Sequence, residues 1–282
     1  MTEHYVTLFD SGYLPQGLSL HASMQRHAGS FMLWVVCMDE RCFGVLSALA
    51  LPNVRILRVD DHLDGASRAV RAGRTVGEFC WTMTPHVFDF VFALDASINR
   101  LTYLDADVWF RKSPRRIFQE LDTSGKTVLI TDHGYAPEYD QSAASGQYCV
   151  QFLTFYRNGS ETVRQRWRSQ CLEWCFNRVE DGKFGDQKYL DEWPDTFESL
   201  VHVLADHGLT LAPWNASRFP YGNSILWHFH GLKLKRAGDS NNYDLDIGAG
   251  FYSIPDVVKQ NVYVPYINDL KAALGRIEGL IP

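Results

Sequence analysis

The chain has 282 residues, 46% of them hydrophobic and 13% aromatic, enough to build the core of one large α/β domain or two small ones. A formal net charge of -6 argues against a general nucleic-acid binder, so an anionic ligand needs a local positive group or a metal. No apolar run approaches a membrane span, and the opening Met-Thr-Glu-His-Tyr has no basic n-region; together these lead us to expect no signal peptide and at most peripheral membrane contact.

Tyr5 to Phe9 reads as a first strand, turned by Asp10, Ser11, Gly12 and Tyr13. Pro15 then opens a helix to about His27, a position that tolerates its missing N–H. Phe31 to Met38 is an unbroken apolar run, as expected of a strand covered on both faces. A short helix at Phe43 to Leu49 and a third strand at Val54 to Val59 follow. Strands separated by helices predict a parallel sheet with right-handed crossovers. Asp60 to Arg74 is polar and reads as a mobile loop or exposed helix, and the aromatic stretch Glu78 to Phe92 as one buried helix.

From Leu101 to Phe110 the pattern changes. Asp105 and Asp107 interrupt an apolar strand, and residues two apart in a strand project on the same side. Two adjacent buried carboxylates are costly unless a cation or proton compensates them, and a divalent metal bound by carboxylate oxygens is the simplest cation. The bland reading is a strand end with two solvated aspartates.

Ser113 and Pro114 start a helix to Leu121, Thr127 to Thr131 is a buried strand, and Asp132 to Gln147 a loop. Tyr148 to Tyr156 is a strand, and Ser160 caps a helix to about Val179 with Val163, Trp167, Cys171 and Cys175 on one face. Thr210 to Asn215 is strand-like. In Ile225 to His230, alternation sends Trp227 and Phe229 one way and His228 and His230 the other. Gly231 breaks this strand before Lys233, Lys235 and Arg236, and Pro265 to Glu278 closes the chain as an amphipathic helix using Ile267, Leu270, Leu274 and Ile277. The six cysteines lie mostly in apolar segments without Cys-x-x-Cys spacing, which fits buried thiols in a reduced, cytoplasmic setting.

Asp105 with Asp107, Gly185-Asp186-Gln187, and His228-Phe229-His230-Gly231 could share one site. Two carboxylates and an imidazole suit Mn²⁺, and lysines after a glycine break could meet a diphosphate. Each element has an ordinary reading too: a hydrogen-bonded core histidine, a solvated basic turn, a helix-capping Asp186. Trp81, Trp193, Trp214, Trp227 and Tyr189 lie near these motifs and could stack on sugars, although Trp227 reads better as core.

These residues resemble a GT-A fold glycosyltransferase, nearest in style to the retaining family eight enzymes and related bacterial polysaccharide enzymes. Leu104-Asp105-Ala106-Asp107 resembles their metal motif, Asp186-Gln187 their pair near the reacting sugar, and His228 to Gly231 the start of their C-terminal metal and diphosphate motif. Phe9, Asp10 and Tyr13 resemble the nucleoside-holding segment. Two motifs depart: the Lys-Pro-Trp ending reads Lys233-Leu234-Lys235, and the Asn-x-Gly strand is replaced by Tyr148-Cys149-Val150-Gln151.

The resemblance implies an α/β fold with a mostly parallel sheet flanked by helices and a C-terminal helical extension. It implies one domain, 1–282, with a nucleotide-binding part at about 1–132, an acceptor and catalytic part at about 133–240, and an extension at about 241–282. It also implies Mn²⁺ or Mg²⁺ held by Asp105, Asp107 and His228, assisted by Lys233 or Lys235, and a nucleotide-sugar donor, with UDP the better guess. The acceptor would be a saccharide or glycolipid. Under retention Asp186 or Gln187 lies beneath the sugar; under inversion Asp186 is the base.

A haloacid dehalogenase-type phosphatase is the main rival, with Asp105 as nucleophile and Gly185-Asp186 followed by Asp191 as its later acidic motif. Its nucleophile strand usually stands near the domain start, whereas about three βα units precede Asp105. A non-catalytic nucleotide-sugar-binding domain is the second rival.

Overall fold

The strands β1 (Glu3–Phe9) and β2 (Phe31–Cys37) are nearly continuous apolar runs because helices cover both faces of the sheet they occupy. In the computed structural model, residues 2–236, 243–246 and 251–280 are described, with backbone path alone for 234–236 and 243–246. Between β1 and β2 runs α1 (Leu14–His27), with Pro15 in its first turn. Gly17 lets α1 press onto β1: a Cβ there would sit 2.4 Å from the Phe9 ring.

Helix α2 (Glu40–Leu49) is capped by the Asp39 carboxylate, which accepts from Cys42 N. The half-exposed edge strand β3 (Val54–Arg58) follows. Asp60 to Arg74 includes the helix α3 (Gly65–Arg71), capped by Asp64. The single helix expected at Glu78 to Phe92 is two, α4 (Val76–Met83) and α5 (Val87–Leu94), parted by a tighter turn at Thr84–His86 where Pro85 cannot donate.

The chain continues through β4 (Arg100–Leu104), β5 (Val108–Phe110), α6 (Arg115–Ser124), β6 (Val128–Asp132), α7 (Ser142–Ser145) and β7 (Tyr148–Tyr156). Then come α8 (Glu161–Glu173), α9 (Trp193–Thr196), β8 (Val201–Val203), β9 (Thr210–Leu211), β10 (Leu226–His228), β11 (Lys233–Arg236) and β12 (Tyr243–Asp246). Last are α10 (Asp256–Val258) and α11 (Val264–Ile277).

Helix α8 ends six residues before the expected Val179, since Trp174 is already extended at φ -149° and ψ 125°. Ser160 does not cap it through its side chain; its hydroxyl donates to Tyr156 O. Cys175 therefore lies beyond the helix, though buried with Val163, Trp167 and Cys171 in one apolar cluster. In α11 the buried stripe is Tyr266, Leu270, Ala273 and Ile277, with Ile267 and Leu274 partly covered beside it.

The main sheet has seven strands in the order β3-β2-β1-β4-β7-β6-β8. It is parallel except at β7, which runs antiparallel to both β4 and β6. The register of β6 on β7 slips between the pairs Leu129–Thr154 and Thr131–Cys149, so β7 bulges at its start. From β1 the chain steps outward to β2 and β3, then returns to β4 on β1's other side. Ligands of open α/β sheets bind at such a switch point, beyond the carboxyl ends of the strands. A small second sheet, β5-β10-β9, packs beside it with α11 behind, and β11 pairs with β12. All six cysteines are unpaired and five are buried. Among the described residues, no helix is long and apolar enough to cross a membrane.

Candidate metal and ligand cleft

Beyond the carboxyl ends of β1 and β4 opens a cleft of about 720 Å³. The two aspartates reach it by a turn rather than by strand alternation. β4 ends at Leu104, Val108 N donates to Asp105 O at 3.2 Å, and the chain passes into β5 of the second sheet. Asp105 and Asp107 thus flank a turn between two sheets, which corrects the expectation of a shared strand face.

His228 arrives from β10, whose antiparallel register sets it opposite Val108. Phe229 N donates to Asp107 O at 2.9 Å and locks that register beside the turn. His228 Nε2 lies 3.1 Å from Asp107 Oδ1 and 3.7 Å from Asp105 Oδ2. Each of the three residues offers a ligand atom within 4.8 Å of the others, a set that could hold a metal ion. Trp227 and Phe229 point into the core as the alternation predicts, and Trp193 is also core. His230 stands outside the three-residue set.

The electrostatics favour a cation at this position. Burial pushes the Asp105 carboxyl up, and the Asp107 charge adds to this; His228 offsets it only in part. Burial opposes ionisation of Asp107 too, but His228 holds its carboxyl below the usual range. Burial would depress the His228 imidazolium, yet Asp107 outweighs it and raises the ring well above its ordinary value. In other words, a proton on His228 compensates the carboxylates where a divalent ion would do so more fully. Tyr103 also donates to Asp105 Oδ1 at 3.0 Å.

Asp186 and Gln187 enter the same cleft. Gly185 adopts φ +52°, a left-handed turn tolerable for glycine, with the Trp81 ring 3.4 Å from where a Cβ would lie. The turn is pinned by Trp167 Nε1, which donates to Asp186 O at 2.8 Å. Asp186 does not cap a turn; its carboxyl is buried and held well above the usual range, first by burial and then by the Asp105 charge. Gln187 Nε2 donates to Ser145 O at 2.7 Å and ties this segment to the loop before β7.

At the other end, Asp10 and the exposed Tyr13 line the cleft. Asp10 accepts from Gly12 N at 2.9 Å, and burial followed by the charges of Asp107 and Asp105 pushes the Tyr13 phenol up to about 12. Phe9 borders the cleft at its floor, but its ring belongs to the core beneath α1. Lys233 is exposed and borders the cleft; the Lys235 side chain lies outside the described residues.

Several residues of the cleft were not anticipated. His133, Tyr135 and Cys149 form a wall with Trp214, and Tyr103 and Tyr252 border the same space. His133 stacks on Tyr135 with ring centroids 4.6 Å apart. Trp214 meets His133 at 5.1 Å, His228 at 5.4 Å and His230 at 5.5 Å. A histidine following an apolar strand was the one local hint of this wall. The two segments expected as loops differ: Asp132 to Gln147 contributes His133, Tyr135, Gln141 and Ser145 to the cleft, whereas Asp60 to Arg74, which could also have been an exposed helix, contributes nothing.

The chain has the GT-A glycosyltransferase fold. It superposes on mouse xyloside xylosyltransferase 1 with a TM-score of 0.56 at 15% identity, covering 82% of this chain and 98% of that one. On the galactosyltransferase LgtC, solved with donor and acceptor sugar analogues, the TM-score is 0.51 at 15% identity, covering 81% and 87%. Among curated sequences it is 26% identical to the uncharacterized protein YfnD of Bacillus subtilis (strain 168), over 100% of this chain and 93% of that protein. It is also 26% identical to the uncharacterized YfnF of the same strain, over 83% of each. No family model matches the chain. The phosphatase reading finds no support in these likenesses.

Proposed function

We propose that the protein is a metal-dependent glycosyltransferase that moves a sugar from a nucleotide-diphosphate sugar, UDP-linked, to a saccharide or glycolipid acceptor with retention of configuration. The observation that carries this reading is the Asp105–Asp107–His228 set, within 4.8 Å, at the switch point of a GT-A fold. Residues 1–132 serve the nucleotide, 133–240 the acceptor and chemistry, and 241–282 extend the fold. Bacterial surface polysaccharide synthesis, at the inner face of the membrane, is the setting proposed.

Asp105, Asp107 and His228 hold Mn²⁺ or Mg²⁺. Once bound, the ion supplies charge stabilisation and orientation of the departing diphosphate. Lys233 and Lys235 answer the same phosphate charge. Asp10 and Tyr13, with the Phe9 backbone, receive the nucleoside. The Asp186 carboxyl is buried in the cleft beside Gln187, its value raised by burial and then by the Asp105 charge, and retention rests on the resemblance. In this reading Asp186 and Gln187 lie beneath the donor sugar and stabilise its oxocarbenium-like state.

A thermal-shift screen of nucleotide-sugars with and without Mn²⁺, followed by transfer and hydrolysis assays on the hits, tests this function. A UDP-sugar that stabilises the protein only with metal is the expected outcome. Metal-independent binding would remove the metal role, and binding without transfer or hydrolysis with any acceptor would leave a binding domain instead.

A further inference from the structure

The metal-facing histidine has a second nitrogen for which no hydrogen bond is accounted. His228 Nε2 faces the carboxylates, while its Nδ1 is buried without a partner among the described residues. A ring that offers Nε2 to an ion carries its proton on Nδ1, and ligating histidines normally donate that proton to a fixed acceptor that sets ring orientation and tautomer.

The wall beside His228 contains a chain of groups whose proton order is set from outside. His133 Nδ1 lies 3.1 Å from Gln147 O, and a carbonyl can only accept. His133 therefore carries its proton on Nδ1 and leaves Nε2 as an acceptor. The backbone of His133 is itself clamped, since Trp214 Nε1 and Asn215 Nδ2 both donate to its carbonyl at 2.8 Å. Cys149 is placed here by the bulge of β7, which pairs it with Thr131, two residues before His133. Cys149 lines the same cleft wall as both imidazoles, and both rings act on its thiol. All three side chains are at least nine-tenths buried, with exposures of 3% for His133, 2% for Cys149 and 7% for His228.

We propose that Cys149 is a positioning residue for the metal-facing histidine, its thiol bridging His133 and His228. With all three side chains neutral, one proton order satisfies every group. The thiol donates S–H to His133 Nε2, and its sulfur accepts from His228 Nδ1–H, leaving the His228 Nε2 lone pair for the ion. The Gln147 carbonyl thus dictates the tautomer of His228 through two side chains. A thiol suits the position because it both donates and accepts and is small enough for an apolar wall. The proposal rests on the metal reading above.

The test is calorimetric titration of MnCl₂, without nucleotide, into the wild type and into Cys149→Ala, Cys149→Ser and His133→Phe, with metal-free thermal midpoints confirming that each is folded. Cys149→Ala should bind Mn²⁺ at least about tenfold more weakly, the loss typical of removing an outer partner of a ligand. Cys149→Ser, which keeps a donor and an acceptor, should restore most of the affinity. His133→Phe keeps a ring but removes both nitrogens, and should weaken Mn²⁺ with Cys149 intact; it carries the test if Cys149→Ala does not fold. Equal affinity of Cys149→Ala and wild type, or a serine variant as weak as the alanine one, overturns the positioning role. A wild type that binds neither Mn²⁺ nor Mg²⁺ overturns the metal reading itself and the positioning role with it.

Discussion

Among the places where this molecule brings charged side chains out of water, two are built in opposite ways. Between α5 and α8, Asp89 receives Arg164 at 2.8 Å on one oxygen and Arg168 at 2.8 Å on the other. The charge of the buried Arg164 guanidinium is thereby matched inside the protein. In the cleft, Asp105 and Asp107 share a single imidazole, and the buried Asp186 adds its carboxyl beside Asp105. The arginine pair belongs to packing; the cleft leaves negative charge for something else to compensate. Uncompensated buried charge is expensive, so a fold that keeps it keeps it for a ligand.

The largest effect that would test this contrast is at Asp107. Asp107→Ala should cut metal-dependent transfer by about 10²-fold or more, the scale of losing one element of transition-state charge stabilisation. Its thermal midpoint without metal should hold or rise. Unchanged Mn²⁺-dependent donor affinity would end the assignment.

Asp89→Ala should do the reverse. Leaving Arg164 buried and unmatched should cost roughly 2–3 kcal/mol by denaturant titration, somewhat below the cost for a fully enclosed pair because Asp89 is partly exposed. Mn²⁺ affinity should be unaffected, and a weakened metal site would mean that the two regions are coupled.

The pH dependence should separate the two states of the cleft. Asp105 and Asp186 have folded values raised above the ordinary 3.8, and His228 above 6.5, so these three groups hold extra protons in the native state between about pH 4 and the raised His228 value. Burial lowers His4, His21, His27, His86 and His230, which oppose them below about pH 6.5. The contribution of His228 to stability without metal should therefore be lost as pH rises above about 6.5. The depressed value of Asp107 acts only below about pH 4, where its contribution is lost as pH falls. Metal binding displaces the His228 proton, so Mn²⁺ should stabilise more as pH rises. Thermal midpoints with and without Mn²⁺ that run parallel across this range would contradict the shared role of the proton and the ion.

A smaller effect is expected at Gly185. Gly185→Ala should cost about 1 kcal/mol from its left-handed backbone and shift Asp186 against the Trp81 ring. A drop in transfer larger than the loss of stability would sharpen the role of the third carboxylate.

The parts of the site legible in the chain are those that chemistry marks locally. An aspartate pair inside an apolar stretch, a histidine alternating with core aromatics, and a glycine before Asp186 carry their signal within a few residues. The turn that aims Asp105 and Asp107 was not legible, because Leu101 to Phe110 has the same pattern whether it is one strand or two strands in two sheets. The reversal of β7 was hidden for a related reason: a nine-residue apolar run looks identical in either direction. The division of α4 from α5 had a local mark in Pro85, whereas the early end of α8 had none before Trp174 turned extended.

By itself, then, the sequence determined most of the elements and their order, the parallel character of the sheet and the carboxylate–imidazole chemistry, since these follow from periodicity and from the cost of burying charge. The tertiary structure decided which groups meet. It placed His228 rather than His230 against the aspartates through the register with β5, and it gathered His133, Cys149 and Trp214 into one wall. Those contacts join segments tens of residues apart, and only the packing of the two sheets brings them within reach.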